Sequence, residues 1–148
     1  MNISDILTLE RTFANLECAS KKRTLESISQ WLGTKKSSFD SKELFNALIN
    51  REKLGSTGFG DGIAIPHCRL ASCTEVTGAL VRLTHAVDFD AIDQHPVDLL
   101  FVLLVPLEAT DEHLQILATL AGSFGRPEFR ESLRLAADAH AMYKIAIA

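Results

Sequence analysis

Val97-Asp98-Leu99-Leu100-Phe101-Val102-Leu103-Leu104-Val105 is apolar at every position but one. A strand with one wet face alternates apolar and polar residues, so a continuous run predicts a strand covered on both sides. Pro106 lacks an amide hydrogen and closes it. The stretch therefore predicts a central strand with helices above and below. Upstream, residues 76–84 are rich in β-forming side chains and read as a second strand, with 88–93 as a turn-bearing connection. Ile63-Ala64-Ile65, bounded by glycine and Pro66, reads as a short strand that stops at His67.

Helical spacing appears on either side of this β-rich middle. Ser20 caps a helix over residues 21–32 with Leu25, Ile28 and Leu32 as its stripe and Gly33 as its stop. After a polar link over 34–39, Asp40 and Glu43 have the spacing of a capping box. They open a helix with Leu44, Phe45, Leu48 and Ile49 inward, ending near Gly55 with Arg51 in its last turn. Beyond Pro106, Thr110 caps a helix with Leu114, Leu117, Ala121 and Phe124 inside. Pro127 opens another carrying Phe129 and Leu133, and Asp138 caps a last one through Ile145. The order predicts the α/β class: a single domain over residues 1–148, a mixed sheet sandwiched between helices in three layers.

Composition narrows the function. The 148 residues carry 15 Lys+Arg against 19 Asp+Glu, a net charge of -4, which offers no basic footprint for nucleic acid. The longest apolar run falls far short of the roughly 20 residues that span a bilayer, so no membrane insertion is expected. The N-terminus has no secretory pattern. Three cysteines, Cys18, Cys68 and Cys73, show no CxxC spacing, so neither a disulfide framework nor a zinc site is expected, and a cytoplasmic location is the simplest reading.

The chemistry concentrates around residues 58–67. Three glycines, Gly58, Gly60 and Gly62, precede the short strand and let a phosphate or a partner backbone come close, while Pro66 stiffens the approach to His67. The run lacks the GxxxxGK[ST] pattern, so ATP is not expected. An imidazole held at a strand end suits nucleophilic phosphoryl transfer. His113 falls near the third position of its helix, where unpaired N–H groups and the dipole favour a phosphate and keep the ring neutral. Spacing does not show that His67 and His113 meet. Phe59 reads either as core or as an exposed apolar contact, and His85, His95 and His140 take no role.

Glu52, six residues on Phe59-Gly60, and two further on Ile63-Ala64-Ile65-Pro66-His67-Cys68 resemble the phosphorylation-site signature of the fructose–mannitol class of enzyme IIA in the bacterial phosphoenolpyruvate-dependent phosphotransferase system. Arg51–Gly58, Phe89–Asp93, Pro96–Phe101 and Leu104–Pro106 resemble its nitrogen-regulatory branch. The resemblance implies that His67 is phosphorylated through Nε2, with His113 supporting and Arg51 neutralising phosphate charge. It also implies that Ser56 and Thr57 donate hydrogen bonds from the same loop. The implied donor is a small histidine phosphocarrier protein, with no metal or organic cofactor. Cys68-Arg69 stand where the branch more often has glycine and lysine. A thiol there reads either as a slight hindrance to partner approach or as a point open to oxidation, while Cys68 and Cys73 on their own read as inert.

Three functions compete with a regulatory phosphocarrier. A sugar-specific enzyme IIA would pass its phosphate to a IIB domain. A binding module without phosphotransfer would not need His67, Arg51 and His113 together. A Cys–His hydrolase built on Cys68 fails, because neighbouring side chains on a strand point apart.

Overall fold

The structure, a computed structural model, describes residues 1–36 and 38–148, and for 111–114 the backbone alone. Among the described residues the α-helices are α1 (Ile3–Ile6), α2 (Lys21–Lys35), α3 (Ser41–Lys53), α4 (Asp111–Phe124), α5 (Pro127–Leu135) and α6 (Ala139–Ile147). The strands are β1 (Thr12–Leu16), β2 (Gly58–Gly60), β3 (Ile63–Ala64), β4 (His67–Leu70), β5 (Thr77–Val87) and β6 (Val97–Pro106). They form one mixed sheet in the order β1-β5-β6-β3-β2, with β4 also on β6. The opening stretch is thus the central strand. It runs antiparallel to β5 and parallel to β3 and β4.

Its burial explains the unbroken apolar run. Leu100, Val102 and Leu104 join the core under α2 and α3, with Leu25, Ile28, Leu32, Leu44 and Leu48. Leu99, Phe101, Leu103 and Val105 face the other way, into a core with α1, α4, α5 and α6. One strand with period two thus feeds two cores, and the result is the single-domain, three-layer α/β fold expected. Buried Arg82 on β5 donates to the carbonyls of Leu133 and Ala136, holding the end of α5 to the sheet.

Several local expectations change. α2 runs through Gly33 to Lys35, because Gly33 is where α3 comes close: a Cβ there would lie 3.2 Å from that of Ser41. The link after it contains a core residue, Phe39, beneath Lys36. Asp40 caps α3 by accepting from the Lys42 amide, while Glu43 turns outward to accept from Ser72. In α4, Ile116, Leu120 and Phe124 are buried, whereas Ala121 is exposed. Thr110 precedes that helix, Pro127 is the first residue of α5, and Asp138 caps α6 through the Ala141 amide. β1, unmarked by any apolar run, adds a parallel strand beside β5.

The glycine run has a different job from the one expected. β2 and β3 form a hairpin whose turn passes through φ of 114°, 59° and 80° at Gly60, Asp61 and Gly62. At Gly62 a Cβ would meet Arg134 Nη2 at 2.4 Å and Asp98 Oδ1 at 2.9 Å, so the position demands both a left-handed backbone and no side chain. Leu99 pairs with Ile63 and Leu103 with His67, which puts this turn about 13 Å along β6 from the histidine. Gly60 and Gly62 thus make the hairpin turn, with Gly62 closed over by Arg134 of α5, while Gly58 sits on β2 against Ala91.

Candidate functional site

His67 lies between two interrupted pieces of sheet. It begins β4; it does not end β3, because Pro66 removes one ladder donor while the chain continues along the same side of β6. The Pro66 carbonyl still accepts from the Leu103 amide at 2.9 Å, so the break costs one bond and the direction is kept. The ring is half-buried. Its Nδ1 is 2.8 Å from the Ile65 carbonyl oxygen, and a carbonyl only accepts, so Nδ1 carries the proton. Nε2 then holds the lone pair, and Arg51 Nε donates to it at 3.3 Å.

Electrostatics favours the same state. Burial lowers the His67 pKa from its ordinary value most, and Arg51 lowers it further; the Ile65 carbonyl and Glu52 oppose them. The neutral ring with an unprotonated Nε2 is a nucleophile. Arg51 is held for this task by donating from its guanidinium to the Gly55 carbonyl at 2.9 Å. A cleft of about 440 Å³ opens over the ring, lined by Ala47, Asn50, Arg51, Leu54, Cys68 and Arg69 besides His67. Two arginines on its wall suit an anionic group. Arg69 donates to the carbonyls of Leu107 and Ala109, so β4 is tied to the loop that leads into α4.

The other expected residues fall as follows. His113 is in the first turn of α4, and its side chain lies outside the described residues. Ser56 and Thr57 are in the loop beside the ring, but both hydroxyls turn inward. Ser56 donates to the Phe89 carbonyl at 2.5 Å and Thr57 donates to the Glu52 carboxylate. Neither hydroxyl proton is left for a phosphate in this arrangement. Cys68 is buried, and burial, with Cys73 and Glu43, pushes its thiol up to about 12, which fits the inert reading of this thiol and not the oxidation-sensitive one. Phe59 is 39% exposed on the edge strand, which excludes the core reading.

The geometry also adds residues to which the sequence reading gave no role. Glu52 is buried behind the loop, accepting from Thr57 and paired with Lys21 at 2.9 Å. In sequence, Glu52 stands only as the first residue of the signature with no task attached, and Lys21 is one of a polar run. Among the described residues no group of three or more His, Cys, Asp or Glu side chains could hold a metal ion. Among them also, no helix is long and apolar enough to cross a membrane.

Residues 5–147 match the model of one protein family, the phosphoenolpyruvate-dependent sugar phosphotransferase system EIIA 2. The chain belongs to that family. Within it, the chain is 48% identical to the nitrogen regulatory protein of Pseudomonas aeruginosa over 147 residues, covering 99% of this chain and 96% of that one. The crystal structure of nitrogen regulatory protein IIA-Ntr from Neisseria meningitidis superposes with a TM-score of 0.91 at 44% identity, covering 97% and 98% of the two chains. IIA mannitol from Escherichia coli shares the fold, with a TM-score of 0.77 at 19% identity and coverage of 95% and 98%. The chain is thus an enzyme IIA-type component of the nitrogen-regulatory kind, with a phosphocarrier's regulatory role, and the family implies phosphotransfer partners.

Proposed function

We propose that the protein is a histidine phosphocarrier that accepts a phosphoryl group on Nε2 of His67 and reports its phosphorylation state to regulated proteins in the cytoplasm. The observation that carries the reading is the pair of bonds on one ring, Nδ1 to the Ile65 carbonyl and Nε2 to Arg51. The donor is a phosphorylated histidine phosphocarrier protein. The lone pair of Nε2 forms the new N–P bond as the donor's N–P bond breaks, and that electron pair returns to the donor ring. The proton on Nδ1 stays where the Ile65 carbonyl accepts it. Arg51 now occupies the lone pair, so it must yield Nε2 and follow the charge onto the phosphoryl oxygens. His113, on the first turn of α4, acts as the supporting histidine, and Ser56 and Thr57 shape the loop through their inward bonds. The whole of residues 1–148 serves as one enzyme IIA-like unit.

Output is regulatory in this reading because the chain resembles nitrogen regulatory proteins along nearly its full length. The phosphoryl oxygens bring about two negative charges to the cleft mouth, against one positive charge on the ring that keeps its Nδ1 proton, enough to change which partners dock. Incubation with phosphoenolpyruvate, enzyme I and the histidine phosphocarrier, followed by intact mass measurement, is expected to show one phosphate on the native chain and none on His67→Ala. An undiminished gain in the variant would move the acceptor elsewhere. Rapid onward transfer to a IIB domain would replace the regulatory output with a transport one.

A further inference from the structure

The end of α3 addresses both nitrogens of the acceptor ring. Arg51 reaches Nε2 directly, at 3.3 Å. Its neighbour Glu52 reaches Nδ1 through a series of hydrogen bonds. The Glu52 carboxylate accepts the Thr57 amide at 3.1 Å and the Thr57 hydroxyl as well. The Thr57 carbonyl accepts the Ile65 amide at 3.0 Å, and the Ile65 carbonyl accepts the His67 Nδ1 proton at 2.8 Å. On its far side Glu52 is paired with Lys21, whose ammonium also donates to the Phe89 carbonyl and lies 5.0 Å from the Phe89 ring centroid.

Two features make this series more than a loop fastening. The residue whose carbonyl faces Nδ1, Ile65, is fastened through its amide to Thr57, and the Pro66 nitrogen on the other side of that carbonyl offers no donor. The Thr57 bond and the Leu103 bond to the Pro66 carbonyl are therefore what orient it. The Glu52 side chain is only 4% exposed, a depth at which a carboxylate persists only with its full set of partners. We infer that Glu52 is a positioning residue: held by Lys21, it fixes the Thr57 peptide, hence the Ile65 carbonyl, hence the tautomer and direction in which His67 presents Nε2. The inference rests on His67 being the phosphate acceptor.

The test is ring ¹⁵N NMR of histidine-labelled protein, combined with the rate of phosphate acceptance from the phosphorylated histidine phosphocarrier. Native protein is expected to show His67 as one tautomer, protonated on Nδ1. Glu52→Gln keeps the shape of the side chain and removes its charge. It is expected to populate both tautomers and to slow acceptance by about tenfold to a hundredfold, with the final mass gain retained. Loss of the carboxylate also moves the His67 pKa further down, since Glu52 opposes the lowering by burial and Arg51. Thr57→Val keeps the backbone bonds, loses the hydroxyl, and is expected to shift the ring signals the same way by less; it decides the matter if Glu52→Gln does not fold. Native ring signals in the folded variants, whether or not the rate falls, would overturn the inference and leave Glu52 a stabilising residue only. Failure of the native chain to take phosphate would instead remove the acceptor role, while the ring spectra still report whether Glu52 sets the tautomer.

Discussion

The β2–β3 hairpin is held at both ends by an ion pair, and the two pairs are built differently. At the turn, Arg134 of α5 grips Asp98 through Nε and Nη2 at 2.9–3.2 Å, and Nη2 also takes the Asp61 carbonyl. Those side chains are 27% and 30% exposed, and among the described residues the side-chain bonds of the pair run to each other and to the Asp61 carbonyl. At the open end, Lys21 and Glu52 pair at 2.9 Å with side-chain exposures of 19% and 4%, and the carboxylate continues into Thr57 and on to His67. An exposed pair mainly ties elements together, because water competes for both charges. A buried one also imposes direction, because each of its partners must stay in place or leave a charge unsolvated.

Lys21→Met puts the greatest load on this difference. It leaves the Glu52 carboxylate buried beside two Thr57 donors and without its cation, and removing one partner of such a pair costs about 3 kcal/mol. Chemical denaturation should show that loss, together with slower phosphate acceptance, because the strain falls on the loop that orients the ring. Native stability after this change would mean that water or a neighbouring group replaces Lys21, and the buried character assigned to the pair would be wrong.

A smaller effect is expected with pH, and its sign follows from His67. Burial lowers the folded pKa below the ordinary imidazole value of 6.5. The unfolded chain therefore takes up this proton at a higher pH than the folded one does. The contribution of the neutral ring to stability is complete above about pH 6.5 and is lost as pH falls through the folded value. Acceptance of phosphate follows the neutral form, so its rate should hold as pH drops past 6.5 and decline only below. An inflection above 6.5 in single-turnover acceptance would contradict the direction of the shift.

Much of this architecture could be read from residues whose burial leaves a periodic trace. β6 announces itself because both its faces are covered, and α2, α3, α5 and α6 because Ser20, Asp40, Pro127 and Asp138 mark their starts. β1 leaves no such trace: Thr12 is its only fully buried residue. Gly33 and the glycine run misled for one reason. A glycine signals a backbone that must bend or be approached closely, but the sequence does not say by what, and here the neighbours are Ser41 and Arg134. At the site, the resemblance named His67 and Arg51, and the structure joins them at one ring; Glu52 stood in the signature with no task attached, and Lys21 read as a surface charge, until the fold paired the two. The inward turn of Ser56 and Thr57 was equally hidden, since a hydroxyl beside an active loop reads the same whether it faces a phosphate or a carboxylate.

The smallest effect belongs to Arg134→Met. The pair it breaks is partly exposed, so despite its two-pronged geometry the loss should stay within about 1 kcal/mol and shrink further in high salt. Asp98 remains solvated, and the Asp98 and Leu99 amides still hold the Gly62 carbonyl at 3.0 and 3.1 Å, which keeps the hairpin turn on β6 without the arginine. Phosphate acceptance should therefore be unchanged, measured beside Lys21→Met under the same conditions. Equal slowing in both variants would show that the hairpin transmits strain along its whole length as a rigid lever. The nucleophile would then be positioned by both ends, and the separation between a tying pair and a directing pair would collapse.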